Sequence, residues 1–221
     1  MLVHDRQETL LIPSGEAEKG GAVARMPSTV QPPAGDPTER VVLDDGAIRR
    51  ALVRISHEIL ERNEGVSDLY LVAIPNGGVP LARQIAQSLH EIAGLDVPVG
   101  ILDTTLYRDD LTRRGERPPL RLTEMPSAVD DRVVVLVDDV ASTGRTIRAA
   151  MDALIDFGRP RAVQVVALVD RGHRELPIRV DYVGKNIPTA ASERVVLCGR
   201  GGELEPPLEV RVQAAAGKEE S

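Results

Sequence analysis

An α/β fold, with a largely parallel sheet covered by helices on both faces, is what this sequence predicts, and three observations carry the expectation. Short apolar runs alternate with segments of helical periodicity along most of the chain, as successive βαβ units require. The run Val133-Val134-Val135-Leu136-Val137 is continuously apolar and rich in Val, the pattern of a strand buried on both faces. Three apolar runs lead into polar or Gly-containing loops at 75–78, 138–146 and 170–174. In an open parallel sheet such loops share the carboxyl edge, where ligands bind.

The elements follow in order. Residues 1–40 hold Ser14-Gly15, Gly20-Gly21, Pro32-Pro33 and Gly35 without sustained periodicity, so a disordered or loosely attached extension is expected, with the folded domain over 41–212. The first helix should begin near Asp44-Asp45-Gly46 and stop before Gly65, with Ile48, Leu52, Ile55 and Ile59 forming its buried stripe. Arg50, Arg54, His57 and Glu61 fall on its opposite face. A solvated helix surface explains that grouping as well as a binding surface does.

Leu69 to Ile74 reads as a strand, and Val79 to Ile92 as a helix with Pro80 at its start and Leu81, Ile85, Leu89 and Ile92 inward. A strand over 97–102 leads to Asp103. From Thr104 to Asp131 the pattern gives way to charge and Pro. A segment of that length inside a compact domain is a flexible lid or a plain surface hairpin. Beyond the 133–137 strand, a helix is expected over 143–157 with Ile147, Met151, Leu154 and Ile155 inward, then a strand over 162–169 ending at Asp170. Glu193 to Cys198 reads as a last strand, and 213–221 as a disordered tail.

Composition bounds the function. The 221 residues are 42% hydrophobic with one Phe, three Tyr and no Trp, so Val, Ile and Leu must build the core. The single Cys198 cannot form an internal disulfide, and no Cys/His metal cluster is visible. Together with the lack of a spanning apolar run or a signal-peptide pattern, this leads us to expect a cytoplasmic protein without membrane association. A formal net charge of −7 excludes a generally basic nucleic-acid coat, while leaving room for a local basic surface.

The stretch that carries chemistry is Val133 to Thr146. Its strand ends in Asp138-Asp139, and Val140-Ala141-Ser142-Thr143-Gly144-Arg145-Thr146 follows. Backbone N–H groups from Ala141 to Thr146 can converge on an anion where the next helix begins. Helix capping alone would also place Ser or Thr here. A Walker-type loop is excluded, because Gly144 is followed by Arg145 and the Gly-x-x-x-x-Gly-Lys pattern is missing. No Ser or Cys partner for His173 is readable, so a catalytic triad is not supported.

An apolar strand, paired acids, two variable residues, a small residue and Thr-Gly-x-Thr resemble the phosphoribosyl-pyrophosphate (PRPP) signature of type I phosphoribosyltransferases. The resemblance implies that Asp138 and Asp139 hold the ribose hydroxyls, that Ser142 to Thr146 hold the 5′-phosphate, and that Mg²⁺ accompanies the pyrophosphate. Carboxylates near a sugar that gains positive charge, and a cation on the leaving group, suit displacement at ribose C1.

Further segments narrow the resemblance. Arg49-Arg50-Ala51-Leu52 with His57-Glu58, Leu106-Tyr107-Arg108-Asp109-Asp110-Leu111, Val169-Asp170-Arg171-Gly172-His173-Arg174-Glu175-Leu176-Pro177 and Val183-Gly184-Lys185-Asn186-Ile187-Pro188-Thr189 look like the PyrR family, over roughly residues 43–200. The resemblance implies a pyrimidine-operon regulator that binds an mRNA attenuator hairpin, more tightly with UMP or UTP bound, and that also makes UMP from uracil and PRPP. By the same resemblance Arg50, Arg54, His57, His173, Arg174 and Lys185 face RNA, Asn76, Gly77 and Asp170 line the substrate site, Arg108 serves the reacting centre from the lid, and the protein is a homo-oligomer, dimer or larger. The family's pyrophosphate loop usually reads Ile-x-Thr-Arg-Gly, whereas this chain has Ile74-Pro75-Asn76-Gly77-Gly78. Gly77 stands where Arg is expected, which predicts slower catalysis and a gain on restoring Arg. Ala141-Ser142, Val53 and Ala190-Ala191 are further departures.

Overall fold

The structure is a computed structural model, and it describes residues 39–75, 77–109, 123–199 and 204–214. Apart from Glu39 and Arg40, the extension expected over 1–40 lies outside the described residues. So do Asn76, most of the tail and the middle of the 104–131 segment.

Five strands form the main sheet: β2 (Leu69–Ala73), β3 (Val99–Ile101), β4 (Val133–Ala141), β5 (Ala162–Asp170) and β6 (Tyr182–Asn186). Their order is β3-β2-β4-β5-β6, and every pairing is parallel. Helix α1 (Asp45–Asn63) and α2 (Gly78–Ala93) cover one face, where Ile48, Leu52, Ile55, Ile59, Leu81, Ile85 and Leu89 pack on Leu71, Val135 and Val137. Helix α3 (Arg145–Leu154) covers the other, with Ile147, Ala150 and Leu154 against Val72, Val134 and Leu136. Alternate residues of β4 thus enter opposite cores, which explains why its sequence shows no polar alternation. The expected architecture, a parallel sheet between helical layers, is the one observed.

Helix α1 starts where the sequence suggests. The Asp44 carboxylate accepts from the Ala47 N–H at 2.7 Å, satisfying one of the free donors of the first turn. It ends on Glu64 in the left-handed conformation, whose N–H is bonded to the Leu60 carbonyl. Two inward assignments are corrected. Ile92 is 40% exposed, being in the last turn of α2, and Ile155 is 68% exposed. The α-helix ends at Leu154, and Ile155–Phe157 form a 3₁₀ turn, whose tighter winding takes Ile155 off the apolar stripe.

Four strands depart from the sequence reading. β4 runs on through Asp138 and Asp139 to Ala141, still paired with β5, so the acids sit in a strand and not in a loop. β6 is a strand in a segment where no strand was expected. β1 (Glu39–Leu43), β7 (Glu193–Cys198) and β8 (Glu209–Ala214) make a separate antiparallel sheet in the order β1-β8-β7. Only β7 of these was expected. Val210, Val212, Val195 and Leu197 turn inward and join the α1–α2 core, so this small sheet closes the core that α1 and α2 share with the main sheet.

Candidate active site and basic surface

The carboxyl ends of β2, β4, β5 and β6 assemble the site. Pairing of Ala141 with Asp170 and of Asp170 with Asn186 sets these three ends level. Gly77 and Gly78 open α2 beside them, and a β-carbon on Gly78 would lie 2.3 Å from the Val137 carbonyl. The helix start can approach β4 so closely only because residue 78 has no side chain.

Asp138 and Asp139 are neighbours on β4 with different surroundings. Asp138 is 5% exposed, and Asp139 is half-buried at the crevice. An Asp138 carboxylate oxygen accepts from the Asp139 N–H at 3.0 Å, and an Asp139 oxygen from the Val140 N–H at 2.9 Å. Burial, and next the charge of Asp139, push the Asp138 carboxyl well above the ordinary carboxylate range, while the Arg108 guanidinium pulls the other way. Arg108 stands at the start of the 104–131 segment. A cation or polarised hydroxyls brought to the pair would favour its charged form.

The loop expected to hold phosphate follows directly. Gly144 has φ +92° and caps α3, a left-handed turn that an L side chain adopts only with strain. Thr143 Oγ1 accepts from the Arg145 N–H at 3.3 Å. The Arg145 side chain faces outward: it pairs with Asp109 at 2.8 Å and with Glu175 at 2.7 Å. Arg148 reaches the same Asp109 at 3.5 Å and donates to the Tyr107 carbonyl at 3.4 Å, while the Tyr107 hydroxyl bonds Asp156. The described start of the 104–131 segment, Thr105 to Asp109, is therefore strapped along α3. Sequence reasoning placed Arg145 at the phosphate and missed Asp109, Arg148 and Asp156. Opposite charges on adjacent motifs were the available signal, but only the fold puts them in register.

Asp170 has both carboxylate oxygens engaged. One accepts from the Gly172 N–H at 2.9 Å and the other from Arg174 at 2.6 Å. Its expected place among substrate-binding residues thus coincides with a place in the loop's own framework.

The six basic positions divide. Arg50, Arg54 and His57 are exposed on α1. Arg54 donates to the Val183 and Gly184 carbonyls at 2.9 and 2.8 Å and pairs with Glu58, which joins the helix face to β6 next to Lys185. Lys185 is itself exposed and donates to the Val42 carbonyl at 3.2 Å. His173, exposed and left-handed at φ +60°, bonds the Thr189 carbonyl at 2.8 Å in the segment that follows β6. Arg174 turns away from these groups and toward the Ser142 carbonyl and Asp170.

The model of the phosphoribosyl transferase domain family matches residues 42–199, which defines the class to which this fold and crevice belong. Within it, the Bifunctional protein PyrR of Pelotomaculum thermopropionicum is 58% identical over 154 residues, 70% of this chain and 85% of that protein. Its namesake from a Roseiflexus species is 55% identical over 181 residues, 81% of this chain and 99% of that protein. The chain belongs to the PyrR family. Solved structures share the fold at low identity: a hypoxanthine phosphoribosyl transferase of Trypanosoma cruzi superposes with a TM-score of 0.61 at 20% identity, covering 82% of this chain and 94% of that one.

Proposed function

We propose that this protein transfers the phosphoribosyl group of PRPP to uracil, forming UMP and pyrophosphate, and that UMP or UTP in the same crevice strengthens its binding to an mRNA hairpin of the pyrimidine operon. The observation that carries the catalytic half is the paired acids of β4 running straight into a phosphate loop. Asp138 and Asp139 orient the ribose hydroxyls, the amides and hydroxyls of residues 142–146 hold the 5′-phosphate, and Arg108 approaches from the lid. Uracil N1 forms its bond to ribose C1 as the C1–oxygen bond to pyrophosphate breaks. The N1 proton leaves to solvent or to a base that no described side chain identifies itself as.

Mg²⁺ fits this donor set as an ion that arrives with its substrate. Among the described residues no group of three or more His, Cys, Asp or Glu could hold a metal, and the acids described at the crevice, Asp138 and Asp139, supply carboxylate oxygens. Mg²⁺ is commonly held in that manner, by one or two carboxylates with substrate phosphates and water. When bound it would neutralise charge on the leaving pyrophosphate.

The regulatory half is supported by the surface that Arg54 and Lys185 join, with Arg50 and His57 on the same helix and His173 beyond β6. Basic side chains at such a surface meet phosphates and unstacked hairpin bases. A homo-oligomer would present the surface more than once. Among the described residues no helix is long and apolar enough to cross a membrane, and action on the mRNA of an operon would place the protein in the cytoplasm. Gly77 favours a second reading, a nucleotide-sensing regulator with little turnover, because the family's pyrophosphate-loop Arg is missing. Purified protein with uracil, PRPP and Mg²⁺, assayed for UMP beside hairpin binding with and without UMP, separates the two. No UMP from folded protein sinks the enzyme reading, and equal hairpin affinity with and without UMP sinks regulation.

A further inference from the structure

The carbonyls of the phosphate loop are held from behind by one short segment. Arg174 Nη1 donates to the Ser142 carbonyl at 2.5 Å. The Glu175 and Leu176 N–H groups both donate to the Thr143 carbonyl, at 3.0 and 3.1 Å. Arg174 is itself fixed, by Asp170 at 2.6 Å and by the Ile178 carbonyl at 3.0 Å, and its side chain is 24% exposed. Leu176 and Ile178 lie under Gly144, where each would be 3.5 Å from an added β-carbon.

A trans peptide is planar, with the carbonyl of one residue and the N–H of the next pointing in opposite directions. Drawing the Ser142 and Thr143 carbonyls onto residues 174–176 therefore turns the Thr143 and Gly144 N–H groups to the other side of the loop. Successive N–H groups so aligned at a left-handed turn form an anion-binding concavity.

From this geometry we infer that Arg174, together with the Glu175 and Leu176 amides, is a positioning element for the 5′-phosphate: it aims the Thr143 and Gly144 amides, and it does so whether or not RNA is present. This rests on reading residues 142–146 as the phosphate loop. It also gives Arg174 a task apart from the RNA contact expected of it, and makes residues 173–176 the physical link between the nucleotide site and the exposed His173. A planar guanidinium can serve Ser142, Asp170 and Ile178 at once, whereas an ammonium group is a point donor.

The test is calorimetric titration of UMP and of ribose 5-phosphate into full-length wild-type, Arg174→Gln and Arg174→Lys protein, without RNA. The expected result is at least tenfold weaker binding of both ligands by the Gln variant and partial recovery by Lys. In the PRPP reaction, KM should rise more than kcat falls. Hydrogen exchange of the 141–146 amides should quicken in both variants, a change that loss of an RNA contact would not produce. If both variants bind UMP and ribose 5-phosphate as the wild type does, while hairpin affinity falls, Arg174 is an RNA contact only and the inference is overturned. If the wild type binds neither ligand, the phosphate-loop reading falls, and the inference with it.

Discussion

The Asp139 side chain fills the volume into which any side chain at Gly77 would project: a β-carbon there would lie 2.2 Å from an Asp139 carboxylate oxygen and 2.4 Å from Asp139 Cβ. Because the overlap reaches Cβ, rotating the carboxylate does not relieve it, and one backbone must move. The gain that the sequence suggests for Gly77→Arg therefore does not follow in this backbone. Gly77→Ala and Gly77→Arg should both lower UMP formation at saturating PRPP, tenfold or more, since about 1 Å of misplacement can cost on the order of 10²-fold. Steady-state kinetics decide it. A rise in turnover for the Arg variant would mean that residues 75–78 take another path once an arginine is there.

Asp138 links the site to stability. Its carboxyl is pushed up by burial and then by Asp139, so its folded pKa exceeds its unfolded one. The neutral form favours folding at pH values below the ordinary carboxylate range, and that contribution is lost as pH rises through the elevated value. Asp138→Asn keeps the shape and removes the charge. Its thermal midpoint should exceed wild type at neutral pH by a few degrees, with the difference shrinking as pH falls toward the ordinary carboxylate range. UMP formation should drop by on the order of 10²-fold or more. Melting curves across pH test the first statement, and a variant less stable than wild type at neutral pH would refute it.

Residues that obey one period were legible in the sequence: Ile48, Leu52, Ile55 and Ile59 are all buried, and the β4 run is the centre of the sheet. So was the order of strand, paired acids, loop and helix from Val133 to Leu154, because its pattern is local. The β1-β8-β7 sheet was hidden because β1 and β8 are far apart in the chain and pair only through the fold: Val41 meets Arg211 and Arg40 meets Val212. β6 was hidden by Gly184 and Lys185, which break apolar patterning. At Gly184 a side chain would collide with the Leu168 carbonyl, 2.4 Å from its β-carbon. Arg174 shows the remaining limit, because its residue type fits an RNA contact and nothing local in the sequence says that its guanidinium reaches the Ser142 carbonyl and Asp170.

Arg50 and Arg54 share a helix face, yet they should behave differently. Arg54 holds two β6 carbonyls as well as Glu58. Arg54→Ala should lower unfolding stability by roughly 1–2 kcal/mol, at or below the low end of the range for hydrogen bonds to a charged group because the side chain is half-exposed, and weaken hairpin binding as well. Arg50→Ala should leave stability within about 0.5 kcal/mol, while weakening hairpin binding and flattening the salt dependence by about one unit of slope, as loss of one phosphate contact does. Denaturant unfolding and binding at several salt concentrations separate the two. Equal effects of both substitutions on stability would remove the structural role given to Arg54.

The Arg145 side chain, though inside the phosphate signature, acts in this structure as a bracket between Asp109 of the lid start and Glu175 of the supporting loop. These pairs are partly exposed, so each should add less than about 1 kcal/mol to stability, and their effect should appear in substrate handling. Glu175→Gln and Asp109→Asn should each raise the PRPP KM severalfold, and Arg145→Ala should do the same. Combining either acid substitution with Arg145→Ala should add little, because both remove one linkage, and a double-mutant cycle measures that shortfall directly. The opposite outcome is also clear. If Arg145 gripped the phosphate through its side chain, neutralising Glu175 would release a competing acid and PRPP binding would tighten.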